Sequence, residues 1–485
     1  MTHFACTSRG RALVLAGTIL AAGACATNPV SGRRELALVS ESQEIEMGRQ
    51  GSAEAIAAYG LVADPALQSY VSAIGQTLAA RTERPKLAWE YHVIDDAAVN
   101  AFAMPGGYIF VTRGLLTHMT NEAQLASVLG HESGHVAARH SVEQISRQQL
   151  ASLGLGIGSA LSSTIAKYGQ VASVGLGVLF LKYSRDDETQ ADQLGFRYAL
   201  ADGYDTREMI SMFTMLQRES ALTGGGRLPE WQSTHPDPGN RISSTQALVS
   251  ANSTKNFGAL KVGGPAFLQR LDGMVYGENP RAGFFRGTLF LHPDLKFQLQ
   301  FPDGWKTQNT NDAVAGVSGA QDAMIELRAA KGSAAEASRA FFAQQGVTAG
   351  AISRGNIHGN ASEGGEFSAQ SSQGAPVRGI ATFIEYGGST WGFTAYTTAD
   401  KFGTYGAAMQ RTISSFDQLT DPSALSVQPM RIRIEQASRA MTLAQFNAER
   451  SSGIPLAELA LINGLAESGT VHAGQSVKRV VGTRP

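Results

Sequence analysis

The string Gly130-His131-Glu132-Ser133-Gly134-His135 sets two imidazoles four residues apart with a carboxylate between them. On an α-helix, residues i and i+4 lie about 40° apart around the axis, so both rings can hold one cation while Glu132 projects beside them to take a water proton. The flanking sequence predicts that helix. Asn121 is a good N-cap with Gln124 three residues on, and Leu125, Val128, Leu129 and Val136 supply the apolar positions. Glu132 shares the stripe of Val128 and Val136, where an unpaired carboxylate would be costly to bury. The spacing points to metal-assisted hydrolysis, with protein ligands on a zinc ion and a position left for water. The pattern runs as one helix to about Gln149, which sets His140 about 180° around the axis from His131 and gives it a structural role.

The third ligand decides the kind of zinc site. A metzincin needs Gly at 138 and His at 141, and the chain has Ala138 and Ser141. A gluzincin takes a Glu from a downstream helix, and the segment Ser184 to Asp192 offers one. Glu188 and Asp192 are an i, i+4 pair, so Glu188 can bind metal while Asp192 orients a histidine from behind. By spacing alone this is a weak signal, since acidic pairs on helices are usually solvated faces.

Four ordered pieces raise a resemblance: Asn100-Ala101-Phe102-Ala103-Met104-Pro105-Gly106-Gly107, the His131 to His135 motif, Ser184 to Asp192, and Ser233-Thr234-His235-Pro236 with Arg241. Over roughly Ser42 to Leu248 the chain resembles the gluzincin zinc metallopeptidases of the HtpX-like and CAAX prenyl protease type, and within them the BepA-like envelope members. The resemblance implies one zinc ion per chain on His131, His135 and Glu188, with Asp192 as the partner behind a histidine. It implies Glu132 as general base and acid, and an edge strand from Asn100 through Ala101, Phe102, Ala103 and Met104 that pairs with an extended polypeptide substrate. His235, in the loop Ser233 to Gly239, is the candidate for one of two roles: a donor to the oxyanion, or a latch that takes the water's place on zinc.

The elements around these motifs set the fold. Helical patterning starts at Ser42, with Leu67, Val71 and Ile74 on one face. It gives way to strands between Leu87 and Thr112, where Trp89, Tyr91 and Val93 alternate, as do Tyr108, Phe110 and Thr112. Residues 150–181 form an apolar Gly-rich stretch whose halves fall short of the roughly 20 residues of a membrane span, and a buried or lid-like helical pair is expected there. A further helix is expected from Asp186 through Tyr198. Alternating segments such as Phe297 to Phe301 and Ile380 to Ile384 then mark a different domain. The expected class is α+β: a mainly helical peptidase domain with a small sheet over 42–255, a mixed α/β domain over 256–420, and a small βααβ module over 429–482. That module resembles a LysM peptidoglycan-binding unit through Thr442-Leu443, Leu461 to Gly464 and Ala473 to Lys478, with Ala440-Met441 in place of the usual Gly-Asp. Glycan binding and a purely structural role are both open to it.

The 40 basic and 41 acidic side chains nearly cancel, and no basic block tracks a phosphate backbone, so nucleic acid is excluded as a partner. Residues 1–24 read as a signal peptide: Arg9 and Arg11, an apolar run from Ala12 to Ala22, and the small-residue site Ala22-Gly23-Ala24. Cleavage there leaves Cys25 first, a position that resembles the acylated cysteine of a bacterial lipoprotein, followed by a polar tether over 25–41. The expected location is the periplasm of the bacterial cell envelope, with lipid on Cys25 anchoring the chain to the outer membrane. Ala26 stands where an Asp would signal inner-membrane retention. The function so implied is hydrolysis of peptide bonds in misfolded or misassembled cell-envelope proteins. The rival is a chaperone-like assembly factor with a latent zinc site.

Overall fold

The computed structural model describes residues 25–154, 183–222, 235, 239–371 and 374–484. The signal segment, the apolar stretch over 155–181, and the loop around His235 other than His235 and Gly239 lie outside the described residues. The chain divides into two compact units. One holds the described residues up to Ile56, then Leu61–Met274 and Ile432–Val480; the other holds Ala57–Gly60, Val275–Arg431 and the residues from Val481.

In the first unit the segment expected as a tether is folded. Strands β1 (Cys25–Thr27) and β2 (Arg34–Leu36) pair antiparallel. Asn28, buried between them, donates from Nδ2 to the carbonyl of Ala138 at 2.9 Å. Helix α1 (Glu41–Tyr59) follows, then α2 (Pro65–Ala79), whose N-cap Asp64 accepts from the amides of Ala66 and Leu67 and whose Pro65 needs no such partner. Leu67, Val71, Ile74 and Leu78 are its buried face. A three-stranded sheet comes next, in the order β3 (Glu90–Ile94), β5 (Tyr108–Thr112), β4 (Ala101–Met104). β3 runs parallel and β4 antiparallel to β5, and β4 stands at the edge. Gly106 and Gly107, at φ 79° and 111°, make the turn between β4 and β5 in a region that disfavours other residues.

After α3 (Arg113–His118) comes α4 (Glu122–Ala137), capped as expected by the Asn121 side chain on the Gln124 amide. The single helix expected to Gln149 is instead two. Arg139 takes φ 61° and α5 (His140–Gly154) starts afresh. Side chains distant in sequence hold the carbonyls at the end of α4. Arg84 donates from Nη1 to Val136 O at 3.0 Å, Asn28 holds Ala138 O, and Arg139 itself turns to Glu44 at 2.9 Å. Glu44 and Arg84 are buried and paired at 2.6 Å, so the break is held by a charged network rather than by a glycine or proline.

Helix α6 (Arg185–Ala201) opens on a capping box between Ser184 and Asp187 and crosses α4 at glycines. A Cβ on Gly195 would stand 2.7 Å from the His131 amide nitrogen, and one on Gly130 would stand 3.1 Å from Gly195 O. Helices α7 (Glu208–Leu222) and α8 (Gly239–Ala251) complete the surround. The domain boundary expected near residue 256 falls later. The backbone returns to this unit through Ala123 N to Val262 O at 3.1 Å and Asp205 N to Lys261 O at 3.0 Å, before α9 (Gly264–Arg270).

The second unit is rich in sheet, and all its described strand pairings are antiparallel. Strands β6 (Phe284–Arg286), β7 (Leu289–His292) and β8 (Phe297–Gln300) form a sheet closed by β16 (Asp417–Gln418). The larger sheet has β9 (Lys306–Asn309), β10 (Ala313–Val317), β11 (Ala323–Ala330), β12 (Thr348–Ile357), β13 (Asn360–Gln370), β14 (Pro376–Tyr386) and β15 (Ser389–Thr398). Their order is β12-β13-β14-β15-β11-β10-β9. Helices α10 (Ala334–Phe342) and α11 (Phe402–Ser414) cover it. The alternation of Phe297, Leu299 and Phe301 buries all three against Ile325, Phe393 and Ile413.

The last segment runs β17 (Arg431–Gln436), β18 (Met441–Thr442), α12 (Leu443–Glu449), α13 (Leu456–Ile462), β19 (Thr470–Val471) and β20 (Ser476–Val481). Its residues 432–480 pack with the first unit. Lys478 is fully buried and donates from Nζ to Thr117 O at 2.8 Å and Met119 O at 2.6 Å, where α3 ends. Arg218 on α7 donates to Leu465 O at 2.7 Å. Burial holds the Lys478 amine well below its usual range, and the carbonyls accept from it at the negative end of a helix.

Candidate active site

The glycine-mediated crossing of α4 and α6 brings His131, His135 and Glu188 together, all buried. The two Nε2 atoms are 3.0 Å apart; Glu188 Oε2 lies 3.6 Å from His131 Nε2, and Oε1 lies 3.5 Å from His135 Nε2. His235 joins them: one donor atom from each of the four residues falls within 4.8 Å of every other. Glu132 borders the group, its Oε1 3.5 Å from His235 Nε2.

A second layer holds these side chains. His131 Nδ1 lies 2.9 Å from Asp192 Oδ1. Arg241 donates from Nε to Asp192 Oδ2 at 2.7 Å, sets Nη1 3.2 Å from Glu188 Oε2, and stacks 4.3 Å over the Phe213 ring on α7. On the other side His135 Nδ1 meets His140 Nδ1 at 2.9 Å, His140 Nε2 meets Gln190 Oε1 at 2.8 Å, and the Tyr183 ring stacks on His135 with centroids 4.0 Å apart.

Burial governs the electrostatics. It pushes Glu132 up to about 8 and Glu188 well above the carboxylate range, with Arg241 opposing in both cases. It also holds His131 down to about 4, helped by Arg241 and opposed by Asp192, and takes His135 well below its usual value. Asp192 departs from the pattern: burial alone would raise it, but Arg241 and His131 outweigh that and keep it low. Neutral imidazole is the form that ligates a metal. Both oxygens of Glu132 and of Glu188 are buried without a hydrogen-bond partner. Buried carboxylates so placed are expensive unless a cation balances them, so the donor set fits a divalent ion.

Asn100 ends the approach to β4, and Ala101, Phe102, Ala103 and Met104 form that edge strand, packed on α4. Asn100 Oδ1 is buried without a hydrogen-bond partner. Cys25 opens β1. The placement of His140 corrects the helical-wheel expectation. The wheel assumed a continuous helix, and the turn at Arg139 swings the ring back onto His135. Gln190 and Tyr183 carried no signal in the sequence beyond their nearness to Glu188.

Residues 65–249 match Peptidase family M48. Among curated relatives, the chain is 33% identical over 228 residues to the mitochondrial metalloendopeptidase OMA1 of Schizosaccharomyces pombe, covering 44% of this chain and 63% of the relative. It is 27% identical over 230 residues to the beta-barrel assembly-enhancing protease of Escherichia coli strain K12, covering 45% and 46%. The OMA1 metalloendopeptidase of Bos taurus is 34% identical over 172 residues, covering 34% and 33%. The chain thus spans from a third to under two thirds of the length of these relatives.

Proposed function

We propose that this chain, whose residues 65–249 match Peptidase family M48, is a zinc-dependent endopeptidase of the bacterial cell envelope that cuts extended segments of misfolded or misassembled envelope proteins. The observation that carries the reading is the convergence of His131, His135 and Glu188 beside Glu132, with buried carboxylate oxygens that lack hydrogen-bond partners. Zinc on the three ligands would supply Lewis acidity, making a water acidic near neutral pH and polarising a carbonyl. Glu132 accepts the water's proton and returns it to the leaving amine. A cation nearby favours its carboxylate over the protonated form that burial alone prefers. Asp192 orients His131, and Arg241 offsets the charge of Glu188 and Asp192. β4, the last strand of its sheet among the described residues, with Asn100 at its start, is the strand assigned to pair with an extended peptide.

His235 stands near enough to Glu132 to donate to a developing oxyanion. It also stands near enough to the other donors to close the set, which favours a second reading, an assembly factor whose site is latent. The envelope assignment is supported by the signal-like residues 1–24, the position of Cys25 directly after them and a relative named for β-barrel assembly. For the LysM-like module the packing of Lys478 and Leu465 in the first unit supports a structural role over peptidoglycan binding. The deciding experiment is metal analysis with digestion of an unfolded protein by wild type and Glu132→Gln, with and without chelator. The reading requires bound zinc in both, cleavage by wild type alone, and loss of that cleavage on chelation. Cleavage by Glu132→Gln at the wild-type rate would overturn it, and a zinc-loaded wild type that never cleaves would favour the assembly factor.

A further inference from the structure

We propose that His140 and Gln190 form a positioning relay that fixes His135 in the one tautomer able to ligate a cation through Nε2, an inference that rests on the zinc reading above. A neutral imidazole carries one N–H and one lone pair, so the contact between the Nδ1 atoms of His135 and His140, 2.9 Å apart, needs a hydrogen on one of them only. The far side of His140 decides which. Its Nε2 lies 2.8 Å from Gln190 Oε1 and 3.8 Å from Asp187 Oδ1, and both oxygens accept. The His140 hydrogen therefore sits on Nε2, and its Nδ1 accepts. His135 must donate from Nδ1, which leaves its Nε2 a bare lone pair facing His131 Nε2 and Glu188 Oε1. With the opposite polarity, His135 would turn an N–H toward the donor set and could not ligate.

One helix thereby serves both histidines. Glu188 and Asp192 on α6 reach the metal-facing group and His131, while Asp187 and Gln190, three residues apart and so on a shared face, reach His140. His131 is oriented by a carboxylate directly, and His135 by an amide acting through a second imidazole. The turn at Arg139 makes this possible by bringing His140 onto His135.

The test compares full-length wild type with Gln190→Met, which keeps length but has no acceptor oxygen, and Gln190→Glu, which keeps one. Zinc affinity is read by competition with a chelator of known affinity, and thermal melting of the metal-free proteins reports packing. Gln190→Met should bind zinc about 10–100-fold more weakly, the usual effect of losing a partner behind a metal ligand, with metal-free melting unchanged. Gln190→Glu should stay close to wild type. Equal affinity of Gln190→Met and wild type, or equal weakening of both variants, overturns the relay. A wild type that binds no zinc overturns the relay and the proposed function together, whereas a zinc-binding wild type with insensitive variants overturns the relay alone.

Discussion

His235 Nε2 lies 3.5 Å from Glu132 Oε1, and the same ring completes a four-residue donor group with His131, His135 and Glu188. It cannot close that group and donate to a reacting carbonyl at once. His235→Ala should retain zinc, since three ligands remain, and should raise turnover on an unfolded substrate if the ring acts as a latch. Loss of an oxyanion donor would instead lower turnover by about 10²-fold. Zinc content and turnover measured together separate the roles, and no change in either would remove His235 from both.

Asp192 is tied to His131 and Arg241. Asp192→Asn should weaken zinc binding by about 10–100-fold, because the amide no longer fixes the His131 tautomer. Asp192→Ala, which also strips a buried guanidinium of a partner, should cost up to about 3–5 kcal/mol of stability. Chelator competition checks the first, and urea unfolding the second.

Gly195 permits the α4–α6 crossing. A methyl group 2.7 Å from the His131 amide nitrogen forces the helices apart, so Gly195→Ala should cost about 1–3 kcal/mol and reduce zinc affinity. An unchanged melting temperature and zinc affinity would show that the crossing tolerates the added carbon.

His118 gives the metal-free protein an acid-sensitive step. Burial holds its ring down to about 4, against the hydrogen bond to Gly114 O and together with the nearby Lys478 charge. The unfolded ring titrates near 6.5, so between these values the unfolded chain binds the extra proton and stability rises with pH. The step is fully lost below about pH 4 and fully present above about 6.5. It is on the order of 2–3 kcal/mol, since part of the ring still meets solvent. Unfolding midpoints at pH 5 and 7.5 should differ less in His118→Gln than in wild type.

The residues that declared themselves in the sequence did so through local geometry. His131, Glu132 and His135 are set by helical spacing, and Asn121 by its capping position. The two faces of β8 follow from alternation. Glu188 was ambiguous by spacing and depended on the ordered motifs around it. Where partners are remote, the sequence was silent. The end of α4 is fixed by Asn28 and Arg84, 110 and 52 residues from the carbonyls they hold, and without that end neither the turn at Arg139 nor the position of His140 can be deduced. The segment after Cys25 read as tether for the same reason, since a polar stretch shows no burial until the carbonyl that buries it is known.

Lys478 reaches Thr117 across 361 positions of sequence, and the whole of Val275–Arg431 is threaded between them. A polypeptide is made from its N-terminus, so the stretch from Thr117 to Met119 must wait for 361 further positions before the Lys478 amine can support it. The first compact unit therefore closes only after the whole of Val275–Arg431, which belongs to the second, has been made.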